Sequence, residues 1–407
     1  MSPAIDGPRL LARLAELGTI GRDDAGRLVR LAASDADKAG RDRLCHWLAE
    51  AGLRVEIDRV GNIFGIWQPE GATGAPFLMG SHIDTVIDAG IYDGCYGVLA
   101  GLAVIEAMQA AGLSPARPVA VAAFTNEEGV RFHPDMMGSL VVAGGVTVAE
   151  ALAAQGTDGT SLGDELARIG YAGPHEPGHL RPHAYVELHI EQGPVLEAEG
   201  AQLGAVANLQ GISWQRIVIE GRANHAGTTP MSLRHDAGVA AGRLLAFLDN
   251  LAREVPGRVA TVGTIEFAPG AINVIPGRAT LTLDMRNPVE ADLQAQENGV
   301  SAFLNGLRSE GFAVTTTPLA RFQPVQFDEA ILSAIETAAS ARQLGWRRMT
   351  SGAGHDAQMI ARIAPTAMIF VPSRGGISHN PAEFTEDTDL IAGANVLLDV
   401  AQRLSHA

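Results

Sequence analysis

The chain has 407 residues, enough for two or three domains, and 46% of them are apolar, ample for a large core. Its formal net charge of −16 argues against a general nucleic-acid binder or an acidic-membrane binder, both of which present a basic face. A small anionic substrate is not excluded, because a local arginine outweighs a distant field screened within about 8–10 Å.

The first residues, "MSPAIDGPRLLARLAELG", carry early acidic groups and no charged stretch leading into an apolar one, so no signal peptide is expected. An amphipathic helix is predicted over residues 35–51. Two short strands follow, "LRVEIDRV" and "NIFGIW", turning at Gly61-Asn62. Then come a buried strand "APFLMGSH", a long apolar helix "CYGVLAGLAVIEAMQAAG", a buried strand "RPVAVAAFTN" and a further strand "HAYVELHIEQG". Apolar strands alternating with helices predict an α/β fold, a mainly parallel sheet covered by helices. From about residue 210 the pattern becomes β-α-β-β-α-β, the ferredoxin-like order. After it the first style returns, with helices at 328–342 and near 354–362, the buried strand "PTAMIFVP" and a last helix at 388–405. The expected organisation is a discontinuous α/β domain, 1–209 and 323–407, with an inserted α+β domain at 210–322. Cys45 and Cys95 give no disulfide framework, and no apolar run approaches the ~18 residues of a membrane helix. A cytoplasmic protein with neither nucleic-acid nor membrane partners is expected.

The chemistry concentrates where strands end. "GSHIDTVIDAGIYDGCYG" supplies His82, Asp84 and Asp93. His82 and Asp84 share a face of an extended strand, which suits an imidazole ligand and a carboxylate that orients it. "FTNEEG" supplies Glu127 and Glu128, "VELHIEQG" supplies His189, and "GISHNPAEF" supplies His379. Taken singly, each reads as an ordinary loop or a hydrogen-bonded core residue. Together they gather along one edge, because a parallel sheet collects the carboxyl ends of its strands there. Three histidines with Asp93 and Glu128 suit a two-metal site bridged by Asp93. Glu127 is left as a free carboxylate, where a general base for water belongs.

These segments, with "ANHAGTTPMSLRHDA", "NVIPGRATLTLDMR", "SGAGHDAQ" and "GGISHNPAEFT", resemble the hydantoinase/carbamoylase branch of the zinc aminoacylase and carboxypeptidase family over nearly the whole chain. That branch holds N-carbamoyl-L-amino-acid hydrolases, β-ureidopropionase-type enzymes and allantoate amidohydrolases. The resemblance implies one metal on His82, Asp93 and His189, a second on Asp93, Glu128 and His379, and Glu127 as acid/base. Two divalent ions per subunit are implied, zinc first, with manganese, cobalt or nickel as alternatives. The insert resembles a dimerisation and lid domain carrying the substrate residues His225, Asn273 and Arg286, with Gln192 and Gly354 outside it. His225 would reach the partner subunit's site in a homodimer and stabilise an oxyanion. The implied substrate is a small ureido compound bearing a carboxylate.

Two other readings compete: a dinuclear peptidase or aminoacylase on the same fold, and a metal-binding protein without catalysis. His189 stands where the peptidases typically carry a carboxylate, and the interval from His82 to Asp93 is shorter than theirs. Glu127 has no purpose in a protein that only binds metal.

Overall fold

The structure, a computed structural model, describes residues 3–406. The chain divides into two units, residues 1–207 with 327–407 and residues 208–326. No described helix is long and apolar enough to cross a membrane.

The first unit opens with α1 (Gly7–Leu17) and α2 (Asp35–Glu50). Each is started by a side chain that satisfies an orphan N–H: Asp6 accepts from Arg9 and Ser34 from Asp37. Strands β1 (Arg54–Ile57) and β2 (Ile63–Trp67) form a hairpin whose turn contains Gly61 at φ 84°. Next come β3 (Phe77–His82), α3 (Cys95–Ala110) and β4 (Val119–Phe124). Both strands are buried throughout, and α3 is apolar on nearly every face because the sheet and other helices enclose it. Three short helices follow, α4 (Met137–Val142), α5 (Val148–Leu152) and α6 (Leu162–Ile169). They lead to β5 (Ala184–Ile190), α7 (Val195–Glu199) and β6 (Leu203–Leu209).

The second unit contains β7 (Gly211–Glu220), β8 (Asn224–His225), α8 (Ala237–Arg253), β9 (Val259–Ala268), β10 (Val274–Ile275), β11 (Arg278–Asn287), α9 (Glu290–Ser309), β12 (Ala313–Phe322) and β13 (Val325–Gln326). Its long strands lie antiparallel in the order β12-β7-β11-β9, with two helices between them in sequence, a β-α-β-β-α-β unit. Ile217, Ile219, Leu281 and Leu283 on one sheet face pack with Leu244 of α8 and Leu304 of α9. Strand β9 forms an open edge and stays largely exposed.

The chain then completes the first unit with α10 (Glu329–Ala341), β14 (Trp346–Ser351), α11 (Asp356–Ile360), β15 (Thr366–Val371) and α12 (Asp387–Ser405). The sheet here runs β1-β2-β4-β3-β5-β15-β6. It is mixed, which corrects the mainly parallel expectation: the pairs β4–β3, β3–β5 and β5–β15 are parallel, while β1–β2, β2–β4 and β15–β6 are antiparallel. The hairpin fixes the direction of β2, and the brief α7 connection turns the chain back after β5, where a parallel return needs a longer crossover. The four parallel strands still point their carboxyl ends to one edge. From β3 the chain crosses to β4 on one side, and from β5 it proceeds to the other. The β3–β5 pairing ends at Met79 and Val186, so a crevice opens between the two strand ends.

A buried ion pair braces this edge. The Arg41 and Asp37 side chains are 1% and 0% exposed, with Arg41 Nε 2.7 Å from Asp37 Oδ2. The guanidinium also donates to the Gly61 carbonyl and to Thr125 Oγ1, two residues before Glu127. Removing one partner strands the other charge away from water. Asp37→Ala is expected to lower the unfolding free energy by about 3–5 kcal/mol, read from urea denaturation. A loss under about 1 kcal/mol would show that water reaches Arg41.

Candidate metal centre

His82 is the last residue of β3, and its Nδ1 lies 2.9 Å from the carbonyl of Asp84. His189 is near the end of β5, and its Nδ1 lies 2.9 Å from the carbonyl of Ile190. Both rings are thereby held with Nε2 turned toward Asp93, the arrangement that orients histidine ligands in metal sites. Asp93 reaches this point because Gly94, at φ 64°, starts α3 immediately after it. A Cβ on Gly94 would lie 2.4 Å from the His82 ring, so the close approach requires glycine.

The two oxygens of Asp93 face opposite groups. Oδ1 is 3.6 Å from His82 Nε2 and 3.2 Å from His189 Nε2. Oδ2 is 3.3 Å from His379 Nε2, which in turn is 3.5 Å from Glu128 Oε2. Donor atoms of His82, Asp93 and His189 lie within 4.8 Å of one another, and so do those of Asp93, Glu128 and His379. The first group is fully buried; the second opens to solvent through His379, whose side chain is 52% exposed. Glu127 belongs to neither and places Oε2 3.5 Å from His82 Nε2.

Imidazole nitrogens and carboxylate oxygens suit a divalent transition metal. An orphaned atom supports the fit: Glu128 Oε1 is buried and has no hydrogen-bond partner among the described residues. A third set, Glu187, His189 and His355, is equally compact. There Glu187 is already occupied by Ser81 Oγ, Tyr185 Oη and the Ala357 N–H, so it is bound to structure and not free to ligate.

Charge follows this geometry. Burial alone would raise the Asp93 carboxyl, but His189, His379 and His82 outweigh it and hold it well below the usual carboxylate range. Glu127 is pushed well up, by burial first and by the neighbouring carboxylates Glu128, Asp356 and Asp93, against the pull of His82. Burial and the charge of Asp93 push Glu128 up to about 8. Asp93 as acceptor and the charge of Glu128 push His379 up to about 9. Without a cation, protons stand in for positive charge.

Asp84 acts differently from the sequence expectation. Its main-chain carbonyl orients His82, while its carboxylate accepts from the backbone N–H groups of Glu127 and Glu128, both at 3.3 Å. It fixes the glutamate pair more than the histidine, because β3 ends before Asp84 and its side chain turns toward the end of β4.

A cleft of about 400 Å³ lies over the centre, lined by Asp93, Glu127, Glu128, Gln192, Gly354 and His379 among others. Gln192, at φ 57°, donates to Asp93 Oδ2 at 2.8 Å. The sequence reading missed two groups here. Glu383 is buried; its Oε1 accepts from the backbone N–H of Tyr92 and Asp93, and its Oε2 from Ser378 Oγ at 2.8 Å. It ties the Asp93 loop to the His379 loop, and its place four residues after His379 was the available signal. His355 packs edge-on to His189 at 4.6 Å, and burial drives its imidazole well below the usual range.

The other sequence candidates lie in the second unit. His225 on β8 pairs with Val274 on β10, next to Asn273, whose carbonyl accepts from the Ala226 N–H. The backbone N–H groups of Gly227 and Thr228 point at His225 Nδ1, at 3.0 and 3.2 Å, which places the ring proton on Nε2. Arg286 is not with them. It pairs with Ile212 at the far end of β11, roughly 27 Å along the strand from Arg278, whose end leads to β8 and β10. There Arg286 Nη2 lies 2.9 Å from Asp284 Oδ2.

The sequence profile of Peptidase family M20/M25/M40 matches residues 78–403. An N-carbamoyl-L-amino-acid amidohydrolase of Rhizobium meliloti is 39% identical over 395 residues, covering 97% of this chain and 95% of that protein. An allantoate amidohydrolase of Bacillus subtilis (strain 168) is 35% identical, covering 88% of each. Among solved structures, an amidase of the hydantoinase/carbamoylase family from Burkholderia multivorans superposes with a TM-score of 0.97 at 40% identity, covering both chains fully.

Because Asp93 and Glu128 push the His379 imidazole up to about 9, and burial pushes the Glu128 carboxyl up to about 8, both hold protons at neutral pH that a cation must displace. Affinity for Mn²⁺ is therefore expected to rise with pH between 6 and 8, by up to about tenfold per unit for each displaced proton. Calorimetric titration in two buffers of different ionisation heat reads the proton release directly. Proton uptake, or an affinity indifferent to pH, would contradict these protonation states.

Proposed function

For this chain, which belongs to Peptidase family M20/M25/M40 and within it to the hydantoinase/carbamoylase amidases, we propose hydrolysis of the ureido C–N bond of an N-carbamoyl-L-amino acid or a related carboxylate such as allantoate, with release of ammonia. The observation that carries this reading is Asp93 shared between two histidine-carboxylate groups, with Glu127 free beside them.

His82, Asp93 and His189 would hold one divalent cation, and Asp93, Glu128 and His379 a second, zinc being the first choice. Such cations supply Lewis acidity, which polarises a carbonyl and acidifies water. Glu127 takes the proton from the attacking water and returns it to the leaving nitrogen. Its burial favours the proton-bearing form that the second half of this exchange needs. His225, with its proton on Nε2, donates to the oxygen that gains charge. Arg286 grips the substrate carboxylate, exchanging Asp284 for it. Gln192, Asn273 and Gly354 complete the substrate contacts.

His225 and Asn273 lie at the two-stranded β8–β10 pair next to one end of β11, and Arg286 lies near the other end of β11, so one copy of the second unit does not offer all three to one small molecule. A homodimer would resolve this, with the partner copy supplying His225 together with the neighbouring Asn273. The exposed edge strand β9, with Ile265 and Phe267 uncovered, and Val239 and Leu245 on α8 give two copies a surface to share.

The direct test is ammonia release by metal-loaded protein from N-carbamoyl-L-amino acids, carbamoyl-β-alanine and allantoate, beside N-acetyl amino acids. Ureido substrates are expected to turn over, and Glu127→Gln to cut turnover at least ~10²-fold with metal content kept. Glu128→Gln is expected to weaken metal binding instead. Turnover of acetyl compounds alone would favour an aminoacylase.

The dimer has its own test. A His225→Ala subunit mixed with a Glu127→Gln subunit is expected to regain activity, because one site of the heterodimer then carries both lesions and the other neither. Heterodimers that form without recovery would place His225 in its own subunit's site or outside catalysis.

A further inference from the structure

The geometry points to a second, separate cation site on the first unit, formed by Glu56 of β1 and by His175 and His179 of the loop leading to β5. Its donor atoms lie within 4.8 Å of one another. None of the three lines the cleft described above or touches its residues through any hydrogen bond.

Backbone contacts fasten the loop to the hairpin. The Arg59 N–H donates to the His175 carbonyl at 2.9 Å, and the Gly173 N–H to the Asp58 carbonyl at 3.0 Å. A Cβ on Gly173 would lie 2.1 Å from the Ile57 carbonyl oxygen, so the two segments touch without side chains between them. The donors are therefore set by main-chain structure and not by the reach of long side chains.

The surroundings of His179 are those of a ligand. Its Nδ1 lies 3.0 Å from the Glu176 carbonyl, and its Nε2 lies 2.8 Å from Glu56 Oε2. Both neighbours only accept hydrogen bonds; an imidazolium meets both with a proton on each nitrogen, while the neutral ring has a single proton to offer and leaves one nitrogen for a cation. With that proton on Nδ1, held by the carbonyl, Nε2 turns a lone pair toward a carboxylate. A cation between them satisfies both atoms, and the Nδ1–H···O=C bond is the usual support of a ligating histidine. The other oxygen of Glu56 is engaged by Arg54, which leaves Oε2 as a single ligand atom.

The His175 ring stacks on His179 at 4.7 Å between centroids and 17° between planes, and its nitrogens make no hydrogen bond among the described residues. Phe64 meets His179 edge-on at 5.5 Å from the side of the core. One imidazole is thus backed by an apolar wall, the second is unengaged, and one carboxylate oxygen completes the set. Two imidazoles and one carboxylate suit zinc, nickel or cobalt, with solvent filling the remaining positions. Tetrahedral donors around zinc stand about 3.3 Å apart, so the His179–Glu56 pair opens slightly while the His175 ring turns out of the stack to bring a nitrogen in. A cation here staples the β1–β2 hairpin to the loop that enters β5, the strand that carries His189.

Equilibrium dialysis of the full-length protein against Zn²⁺ tests this, with bound metal counted per chain. The doubly substituted protein, His175→Ala with His179→Ala, and a separate Glu56→Gln protein are each expected to hold one zinc ion fewer than wild type at saturation. Their hydrolytic rates when loaded are expected to stay within about twofold of wild type, since none of the three lines the cleft. Undiminished zinc in the double variant overturns the site, and undiminished zinc in Glu56→Gln overturns the carboxylate's part in it. Either result leaves the reading of the catalytic centre standing.

Discussion

One buried carboxylate organises this unit. Asp93 is 6% exposed and carries negative charge into a place where water cannot answer it, so the fold must. Histidines from three segments face its two oxygens. Its backbone N–H is taken by Glu383, its Oδ2 by Gln192, and the residue after it must be glycine for the His82 ring to fit. The helix that follows is buried on nearly all sides, so Asp93 is mounted on a part of the core that has no room to slide.

Around that anion the protein has gathered more carboxyl groups than the neighbouring histidines can balance. Glu127, Glu128, Asp84, Glu187 and Asp356 are all pushed upward by burial, and they stand close enough to raise one another. Such a cluster is an unstable way to build a core if only protein groups are counted. It becomes economical when a cation is part of the fold. The acidic surplus is thus a property of the site before any substrate is considered, and it fits the proposal that a general base and a metal ligand are adjacent residues with different tasks.

Much of this was legible because it depends on local pattern. Apolar runs ending in "GSH", "FTNEEG" and "ELHIEQG" mark buried strands whose last residues are polar, and a parallel centre delivers those ends to one edge. What stayed hidden depends on partners distant in sequence. The antiparallel flank at β6 follows from how that strand meets β15, far along the chain, which no period reveals. Glu383 reads as a loop acid until the Tyr92 and Asp93 N–H groups are seen pointing at it. Strand alternation puts Asp84 beside His82, and its carboxylate does lie 3.9 Å from the ring, but only the structure shows that it also accepts from the Glu127 and Glu128 N–H groups at the next strand's end. Helices α4 to α6 are too short to show a helical period above their polar surroundings.

The two halves of the Asp93 cluster differ in access. His82, Asp93 and His189 lie sealed beneath the surface, whereas His379 stands half in solvent on a loop at φ 53°. Traffic to the inner half therefore passes the outer one. Were each half to hold a cation, as proposed, the inner one would enter first and leave last, as in a well with a single mouth. A chelator meeting a protein so loaded would strip it in two stages, the exposed half first and the sealed half second.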